Sequence, residues 1–285
     1  MHELPLEVLE TLKMFLREDI RSGDVTVDAL EDMDVPGVGV IYAKGRTMVA
    51  GVEEVAAIGK IMSLIGEPVV NDGAWASQGD AVFRLSGPVG RLLSVERVAL
   101  NIMMRMSGIA TKTYRMLEKA RAANPKIILA ATRKTTPGFR YFEKRAVTIG
   151  GGDPHRYSLD DMILIKNNHI AVVGSVREAV RVARSHASFS KKLSCEVRSL
   201  EEAVDAIEAG VDSILLDNFT PKTLKDVVRS LSDKRLRNRV MLEVSGGVNE
   251  SNIAQYAESG IDIISSGALT HSYESSDFNM LISVS

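Results

Sequence analysis

The sequence predicts an α/β protein in two parts, a small α+β domain over residues 1–108 and a run of parallel β-α units over residues 109–272. Its 285 residues suffice for one large domain or two modest ones. Helical and strand patterns mix irregularly in the first part, whereas strands and helices alternate regularly in the second. The number and even spacing of the later strands favour closure into a (β/α) barrel. Residues 273–285 are a candidate for packing back on the first domain.

The first part is predicted from apolar spacing and from glycine positions. Leucine and phenylalanine recur at helical spacing near the start, and Gly66 stands where a helix would stop. A bend is expected near Ser107-Gly108, inside a long helical stretch. The predicted elements are a helix over residues 5–19, a strand over 38–49, a helix over 52–65, a short strand pair over 75–85 and the long helix over 90–122.

The second part contains six short apolar candidate strands. They cover residues 127–132, 162–166, 193–196, 213–217, 240–244 and 261–265. The segments between them carry helix signals. Ser175 and Ser199 each precede a glutamate by three residues, as in capping boxes. Thr220 precedes Pro221, which fits a cap and a first helical position.

Polar or glycine residues follow each of the six strands. In (β/α) barrels the carboxyl ends of the strands meet at one face, and the active site lies there. The residues at these ends are Thr132-Arg133-Lys134, Lys166-Asn167-Asn168-His169, Glu196, Asp217-Asn218, Ser245-Gly246-Gly247 and Ser265-Ser266-Gly267. We therefore expect the six ends to build one site.

Cations are concentrated between residues 132 and 169, among glycines and apolar segments. The set comprises Arg133, Lys134, Arg140, Lys144, Arg145, His155, Arg156 and Lys166. Such a segment predicts a binding site for an anion with several charges. The pair His155-Arg156 follows three glycines, which indicates a loop that places two donors on one ligand.

Composition limits the classes of function. The net charge of −2 argues against a general nucleic-acid-binding surface, and no apolar run approaches the ~18 residues of a membrane span. The single cysteine, Cys195, cannot form an internal disulfide, so a reducing cytoplasm is the simplest location. No secretory signal pattern is seen near the amino terminus. We expect small-molecule partners, with no nucleic acid and no membrane.

Two kinds of ligand group are predicted at the strand ends. The glycines after the last two strands favour a phosphate site, because free N–H groups in such turns bind anions. Glu196 and Asp217 could hold ribose hydroxyls, bind Mg²⁺ through water, stabilise a developing positive charge or neutralise nearby cations. Lys166 could belong to an anion clamp or form a Schiff base, as in barrel aldolases. Glycosyl transfer between a phosphorylated sugar and a multiply anionic partner fits this set.

The ordered motifs resemble one family. T-R-K-T-T-P-G, G-G-G-x-x-H-R, L-I-K-N-N-H, L-L-D-N-F, E-V-S-G-G and G-A-L-T-H-S together resemble the quinolinate phosphoribosyltransferases, also called carboxylating nicotinate-nucleotide pyrophosphorylases. The resemblance implies an N-terminal α/β sandwich domain and an open (β/α) barrel with six or seven parallel strands. It also implies a reaction in de novo NAD synthesis, in which quinolinate and phosphoribosyl pyrophosphate, with Mg²⁺, give nicotinate mononucleotide, pyrophosphate and CO₂.

The resemblance also implies roles for individual residues. The expected catalytic residues are Lys134, Lys166, Glu196 and Asp217, of which the two carboxylates face the ribose and the metal. The expected substrate contacts are Arg97, Thr132, Arg133, His155, Arg156, Lys166, Ser245, Gly246, Gly247 and Gly267. Among these, the serine and the three glycines resemble a 5′-phosphate cradle. Arg97 resembles an arginine inserted into the site of a neighbouring subunit, which implies a homodimer or a hexamer.

The chain departs from the family pattern in two places. Asn167 stands where K-D-N-H has aspartate, and Ser194-Cys195-Glu196 replaces E-V-E. Glu196 itself is retained, so we expect activity. Three alternatives stay open at this point. They are a nicotinate-preferring phosphoribosyltransferase, a molybdate-transport-linked paralogue that acts as a binding or accessory protein, and an aldolase that uses Lys166.

Overall fold

The computed structural model describes residues 4–30 and 33–284. Its elements, up to the long helix, are α1 (Leu6–Ile20), α2 (Val25–Ala29), β1 (Pro36–Ala43), β2 (Thr47–Met48), α3 (Val52–Ile61), β3 (Ile65–Pro68), β4 (Trp75–Ala76), β5 (Ala81–Pro88) and α4 (Val89–Ala123). They continue with β6 (Ile128–Ala130), α5 (Arg140–Ile149), β7 (Ile163–Ile165), α6 (Asn167–Val173), α7 (Val176–His186), β8 (Leu193–Val197), α8 (Leu200–Glu208), β9 (Ser213–Asp217), α9 (Pro221–Asp233), β10 (Met241–Ser245), α10 (Ile253–Ala257), β11 (Ile263–Ser265), α11 (Ala268–His271) and β12 (Phe278–Val284).

The chain divides into two compact units. The first comprises Met1–Lys112, Thr136–Gly151 and Tyr273–Ser285, and the second comprises Thr113–Thr135 and Gly152–Ser272. The predicted domains, 1–108 and 109–272, differ from these units chiefly over residues 136–151, which the structure groups with the first unit. The outermost predicted limits, residues 1 and 285, lie outside the described residues.

The first unit is built on a four-stranded antiparallel sheet in the order β12-β1-β5-β3. Inward-facing residues alternate along β1, as expected for a strand buried on one face. Leu12 of α1, Ile58 of α3 and Phe83 of β5 are fully buried and contribute to its core. The strand β12 pairs with β1 from Gly37↔Val284 to Ala43↔Phe278, so residues after 277 complete this sheet.

Three predictions in the first unit were wrong in detail. The predicted strand over 38–49 is two strands, β1 and β2, and the helix predicted to reach residue 65 ends at Ile61. Gly66 therefore does not stop a helix but lies in β3, where an added Cβ would crowd the ring of Phe83. The predicted strand pair is not a hairpin, because β4 pairs with β2 whereas β5 pairs with β1 and β3.

The long helix α4 is continuous through Ser107-Gly108, where a bend was expected. Both residues serve close packing. The Ser107 hydroxyl accepts from the N–H of Ala50 at 2.9 Å and lies 3.1 Å from its carbonyl oxygen. An added Cβ on Gly108 would overlap the carbonyl oxygen of Glu274. Small residues here reflect backbone contact between segments of the first unit rather than a helix break.

The second unit contains the predicted parallel sheet, and this confirms the fold class. Its six strands run in the order β6-β11-β10-β9-β8-β7, so the first strand pairs with the last. Within the described residues no ladder joins β6 to β7, although Asp153 forms a parallel bridge with Ala130 of β6. The sheet is therefore an open barrel with six strands, and all six strand predictions are confirmed to within a few residues.

Helix starts in the second unit follow the predicted caps. The Ser175 and Ser199 hydroxyls accept from the N–H groups of Glu178 and Glu202, and Thr220 caps α9 ahead of Pro221. Gly210 adopts a positive φ of 96° just after α8. Across residues 4–30 and 33–284, no helix is long and apolar enough to cross a membrane.

Candidate active site

A cavity of about 570 Å³ lies at the carboxyl ends of the parallel strands of the second unit. We call it the strand-end pocket. Nine of the predicted site residues line it: Thr132, Arg133, Lys134, His155, Arg156, Lys166, Glu196, Asp217 and Ser245. The convergence of the strand ends on one site is therefore observed.

Two arginines form a cationic wall of the strand-end pocket. The Arg156 guanidinium donates to the carbonyl oxygen of Met162 at 3.3 Å, which fixes its direction. Burial, and then the like charge of Arg133, hold the pKa of Arg156 below its ordinary value. Like charges that line one pocket repel one another, and an anion bound in the pocket would relieve that repulsion. This wall is therefore suited to a carboxylate or phosphate ligand.

Lys134 is held against the turn that follows β11. Its N–H donates to the Thr132 hydroxyl at 3.0 Å, and its carbonyl oxygen accepts from the Thr270 hydroxyl at 2.8 Å. An added Cβ on Gly267 would lie 2.8 Å from Cδ of Lys134 and 2.9 Å from Nε2 of His271. The absence of a side chain at Gly267 thus leaves room for the lysine stem beside this turn.

The turn after β10 also needs its glycines. Gly246 and Gly247 have φ values of 97° and 66°, which disfavour a side chain. An added Cβ on Gly246 would overlap the side-chain oxygen of Asn218, whose N–H donates to the Ser245 carbonyl at 2.9 Å. Gly246, Gly247 and Gly267 are not lining residues of the strand-end pocket; they form the turns immediately after strands that are.

Glu196 is the best-anchored carboxylate of the pocket. It is 8% exposed, and its Oε1 accepts from Nδ2 of Asn167 at 2.6 Å. Nζ of Lys166 lies 3.9 Å from the other oxygen. Asp217, at the end of the neighbouring strand β9, accepts from Nδ2 of Asn218 at 2.8 Å. Both carboxylates are thus oriented by amides that come directly after a strand.

Sequence reasoning missed Glu243, which lies inside β10 rather than at its end. Its side chain lines the strand-end pocket and is 4% exposed over the whole residue. Its Oε2 lies 3.3 Å from Nε2 of His155. The available signal was alternation, because Glu243 and Ser245 stand two residues apart and therefore share a face of the strand.

Three of the eight clustered cations do not line the strand-end pocket. Arg140, Lys144 and Arg145 lie on α5, in the first unit. The Arg145 guanidinium is held there by Glu53 at 2.7 Å, Glu54 at 2.8 Å and Asp72 at 2.8 Å. Burial raises the pKa of Glu54 to about 7 despite this arginine. The expectation that all eight serve one anion is wrong, because α5 returns to the first unit.

Two further predicted residues have other surroundings. Arg97 is an exposed residue of α4 in the first unit and borders a groove with Phe15, Glu18 and Asp19. His169 caps α6, because its Nδ1 accepts from the N–H of Lys166 at 2.9 Å. Helix entry thus accounts for His169.

An open parallel barrel with cations, carboxylates and glycine turns at its strand ends defines an enzyme of the (β/α) class that takes anionic small molecules. Two family models match the chain, the N-terminal domain of quinolinate phosphoribosyl transferase over residues 24–107 and its C-terminal domain over residues 109–281. The chain belongs to the quinolinate phosphoribosyl transferase family.

Individual relatives agree with the family models. The chain is 47% identical over 260 residues to a probable carboxylating nicotinate-nucleotide pyrophosphorylase of Archaeoglobus fulgidus, covering 91% of this chain and 98% of the relative. It is 37% identical to the human carboxylating nicotinate-nucleotide pyrophosphorylase, over 97% of this chain and 92% of the relative. The crystal structure of NadC from Streptococcus pyogenes superposes with a TM-score of 0.92 at 36% identity, covering 100% of this chain and 99% of the other.

Proposed function

We propose that this enzyme converts quinolinate and phosphoribosyl pyrophosphate to nicotinate mononucleotide, pyrophosphate and CO₂, in de novo NAD synthesis. Family membership supports the reaction, and the strand-end pocket supports the substrate class. The observation that carries the proposal is that Arg133 and Arg156 line the same pocket as two hydrogen-bonded carboxylates, Glu196 and Asp217. A nicotinate-preferring enzyme would need fewer cations, because nicotinate has one carboxylate.

The reaction needs positioning and charge more than acid-base chemistry. The pyridine nitrogen attacks the anomeric carbon as the bond to pyrophosphate breaks, which leaves a pyridinium. The bond between C2 and its carboxylate then breaks, CO₂ leaves, and the electron pair stays at C2 beside the pyridinium until a proton replaces the carboxylate. Groups that hold both reactants in place supply most of the rate enhancement in such a step.

We assign the residues by the chemistry of the groups they present. Arg133, Arg156 and Lys166, which line the strand-end pocket with His155, bind the two carboxylates of quinolinate. Lys134 binds the phosphoribosyl pyrophosphate, with Thr132 fixing its backbone. The 5′-phosphate is held at the turns of Ser245, Gly246, Gly247 and Gly267. Glu196 and Asp217 bind the ribose hydroxyls and stabilise positive charge at the anomeric carbon.

Mg²⁺ is the proposed cofactor. The carboxylates of the strand-end pocket fit it only if water molecules and substrate phosphates complete its coordination. Among the described residues, no cluster of three or more His, Cys, Asp or Glu side chains suits a metal. Mg²⁺ usually keeps several waters and uses one or two carboxylates plus substrate phosphates. Glu196 and Asp217 would hold it through water, and it would neutralise charge on the pyrophosphate.

Charge in the strand-end pocket supports both the metal and a shared site. Its lining includes four cationic side chains, Arg133, Lys134, Arg156 and Lys166, and three carboxylates, Glu196, Asp217 and Glu243. The balance of four against three leaves a single positive charge for two multiply anionic reactants. A metal and an arginine from a second copy would supply the rest, and Arg97 is the proposed arginine. The active form is then a homodimer or a hexamer.

Two organisational proposals accompany the function. Residues 1–108 and 109–272 are the two domains, with 273–285 returning to the first, and the pairing of β12 with β1 supports the return. The proposed location is the cytoplasm, since the single cysteine, Cys195, cannot form an internal disulfide.

One assay tests the reaction. Release of ¹⁴CO₂ from carboxyl-labelled quinolinate should require both phosphoribosyl pyrophosphate and Mg²⁺. Nicotinate offered in place of quinolinate should give little nucleotide. Efficient use of nicotinate, or no labelled gas from quinolinate, would contradict the proposal.

A further inference from the structure

A buried carboxylate, Glu243, lines the strand-end pocket. Its negative charge would repel an anionic ligand, so its presence needs an explanation. Glu243 is 4% exposed, and its register partners on the flanking strands are Leu215 and Ile263. Burying a carboxylate among apolar residues is costly unless it receives hydrogen bonds. His155 supplies a hydrogen bond to Glu243.

The His155 ring contacts both Glu243 and Arg156. Its Nδ1 accepts from the backbone N–H of Arg156 at 2.7 Å. A ring nitrogen that accepts carries no proton, so in the neutral ring the proton is on Nε2, which faces Glu243 Oε2 at 3.3 Å. The two contacts therefore favour the same tautomer of His155: the Arg156 N–H requires an unprotonated Nδ1, and Glu243 accepts from the protonated Nε2.

The turn needs this support because its backbone is strained. His155 has a φ of 53°, a conformation that residues other than glycine seldom adopt. The N–H of His155 donates to Oδ1 of Asp153 at 2.6 Å. His155 thus donates to Asp153 on one side and to Glu243 on the other, and Arg156 follows directly in the chain.

A second cavity lies next to the strand-end pocket, and the same residues separate the two. It has a volume of about 350 Å³, is lined by a mixture of apolar and charged residues near the amino ends of the strands, and shares His155, Arg156 and Glu243 with the strand-end pocket. Removing the Glu243 side chain would join the two spaces and admit water. A test must therefore preserve the volume of this side chain.

We propose that Glu243 is a positioning residue for quinolinate, which acts by fixing the His155 tautomer and through it the placement of Arg156. This rests on the proposed function for the identity of the substrate. His155 is then a connector between Glu243 and Arg156, and its Nε2–H is committed to the carboxylate rather than to the substrate.

The test compares Glu243→Gln, which keeps an acceptor oxygen, with Glu243→Leu, which keeps only the volume. Loss of the acceptor should raise the KM for quinolinate about tenfold, the cost of one hydrogen bond to a charged group. The KM for phosphoribosyl pyrophosphate should change less than twofold, and Glu243→Gln should recover most of the affinity. The matched control is Glu258→Leu, because Glu258 is an exposed carboxylate of the same unit.

A second readout does not depend on turnover. Nitrogen-15 NMR of labelled histidine, assigned with His155→Asn, should show an unprotonated Nδ1 in the wild type and a tautomer mixture in Glu243→Leu. The inference is wrong if the tautomer is unchanged in Glu243→Leu, if Glu243→Gln matches Glu243→Leu, or if both substrates weaken equally. A wild-type enzyme that shows this tautomer but releases no CO₂ would contradict the proposed function alone.

Discussion

Asn167 donates a hydrogen bond of 2.6 Å from its side-chain nitrogen to Oε1 of Glu196, across the carboxyl ends of strands β7 and β8. The other amide atom, Oδ1, is buried and has no hydrogen-bond partner among residues 4–30 and 33–284. An amide at this position orients Glu196 without adding a second negative charge beside it. The departure from K-D-N-H at Asn167 therefore leaves the key carboxylate anchored.

Asn167→Ala should lower kcat/KM about tenfold, because Glu196 would lose a hydrogen bond to its charged form. Steady-state kinetics with both substrates measures the loss, and Asn238→Ala is the matched control, because Asn238 is an exposed asparagine of the same unit outside the pocket lining. Thermal unfolding should shift little. Equal losses in the two variants would show that anchoring of Glu196 is not the cause.

Arg133→Ala should abolish measurable quinolinate binding in calorimetry. The variant removes one of two guanidiniums that face the same ligand, and losing a charged partner costs about 1.5–3 kcal/mol or more. Arg198→Ala serves as the control, since Arg198 pairs with Glu202 on the exposed side of the same unit. Unchanged affinity in Arg133→Ala would refute its role.

Arg97→Ala and Lys134→Ala should each be inactive, yet a mixture of the two should recover part of the activity after subunit exchange. A mixed dimer would contain one site with both wild-type residues. Mixing each variant with itself gives the baseline. No recovery, after exchange has been verified by mass spectrometry, would argue against a shared site.

Glu54→Gln should make the stability of the protein less dependent on pH. Burial raises the pKa of Glu54 from 4.5 to about 7, so the folded state favours its protonated form. That contribution to stability is complete below pH 4.5 and is lost as the pH rises through about 7. It amounts to about 3 kcal/mol.

Urea unfolding at pH 5 and pH 8 measures this effect. The difference between the two should shrink in Glu54→Gln, although Asp72, whose pKa burial also raises, keeps part of it. Glu53→Gln is the matched control, because Glu53 contacts the same Arg145 but is a quarter exposed. An unchanged pH dependence in Glu54→Gln would contradict the assignment.

Gly108→Ala should destabilise the protein by about 1–3 kcal/mol, the usual cost of overpacking. The added methyl group would overlap the carbonyl oxygen of Glu274, so backbone must move. Gly45→Ala is the control, since an added Cβ there meets nothing within 4 Å. Equal melting temperatures for the two variants would show that the close approach is not restrictive.

Much of the fold and site was predictable, and the exceptions have physical causes. Strand ends such as Lys166, Glu196 and Asp217 were found because parallel strands bring their carboxyl ends together wherever the chain runs between them. Arg145 was misplaced because sequence proximity does not reveal that α5 returns to the first unit. Glu243 was missed because it lies inside a strand rather than at its end. The sequence does not show that its side chain is buried against His155.

The pairing of β12 with β1 imposes an order on how the protein can be made. The edge of β1 stays bare on the ribosome until every strand of the barrel has been translated, because β12 is synthesised after all of them. Long-range pairing of this kind forms late, and an open edge invites association with other chains. The antiparallel sheet of the first unit is then the last sheet to be completed. Until β12 pairs with β1, the nascent chain is most prone to associate with other chains at that edge.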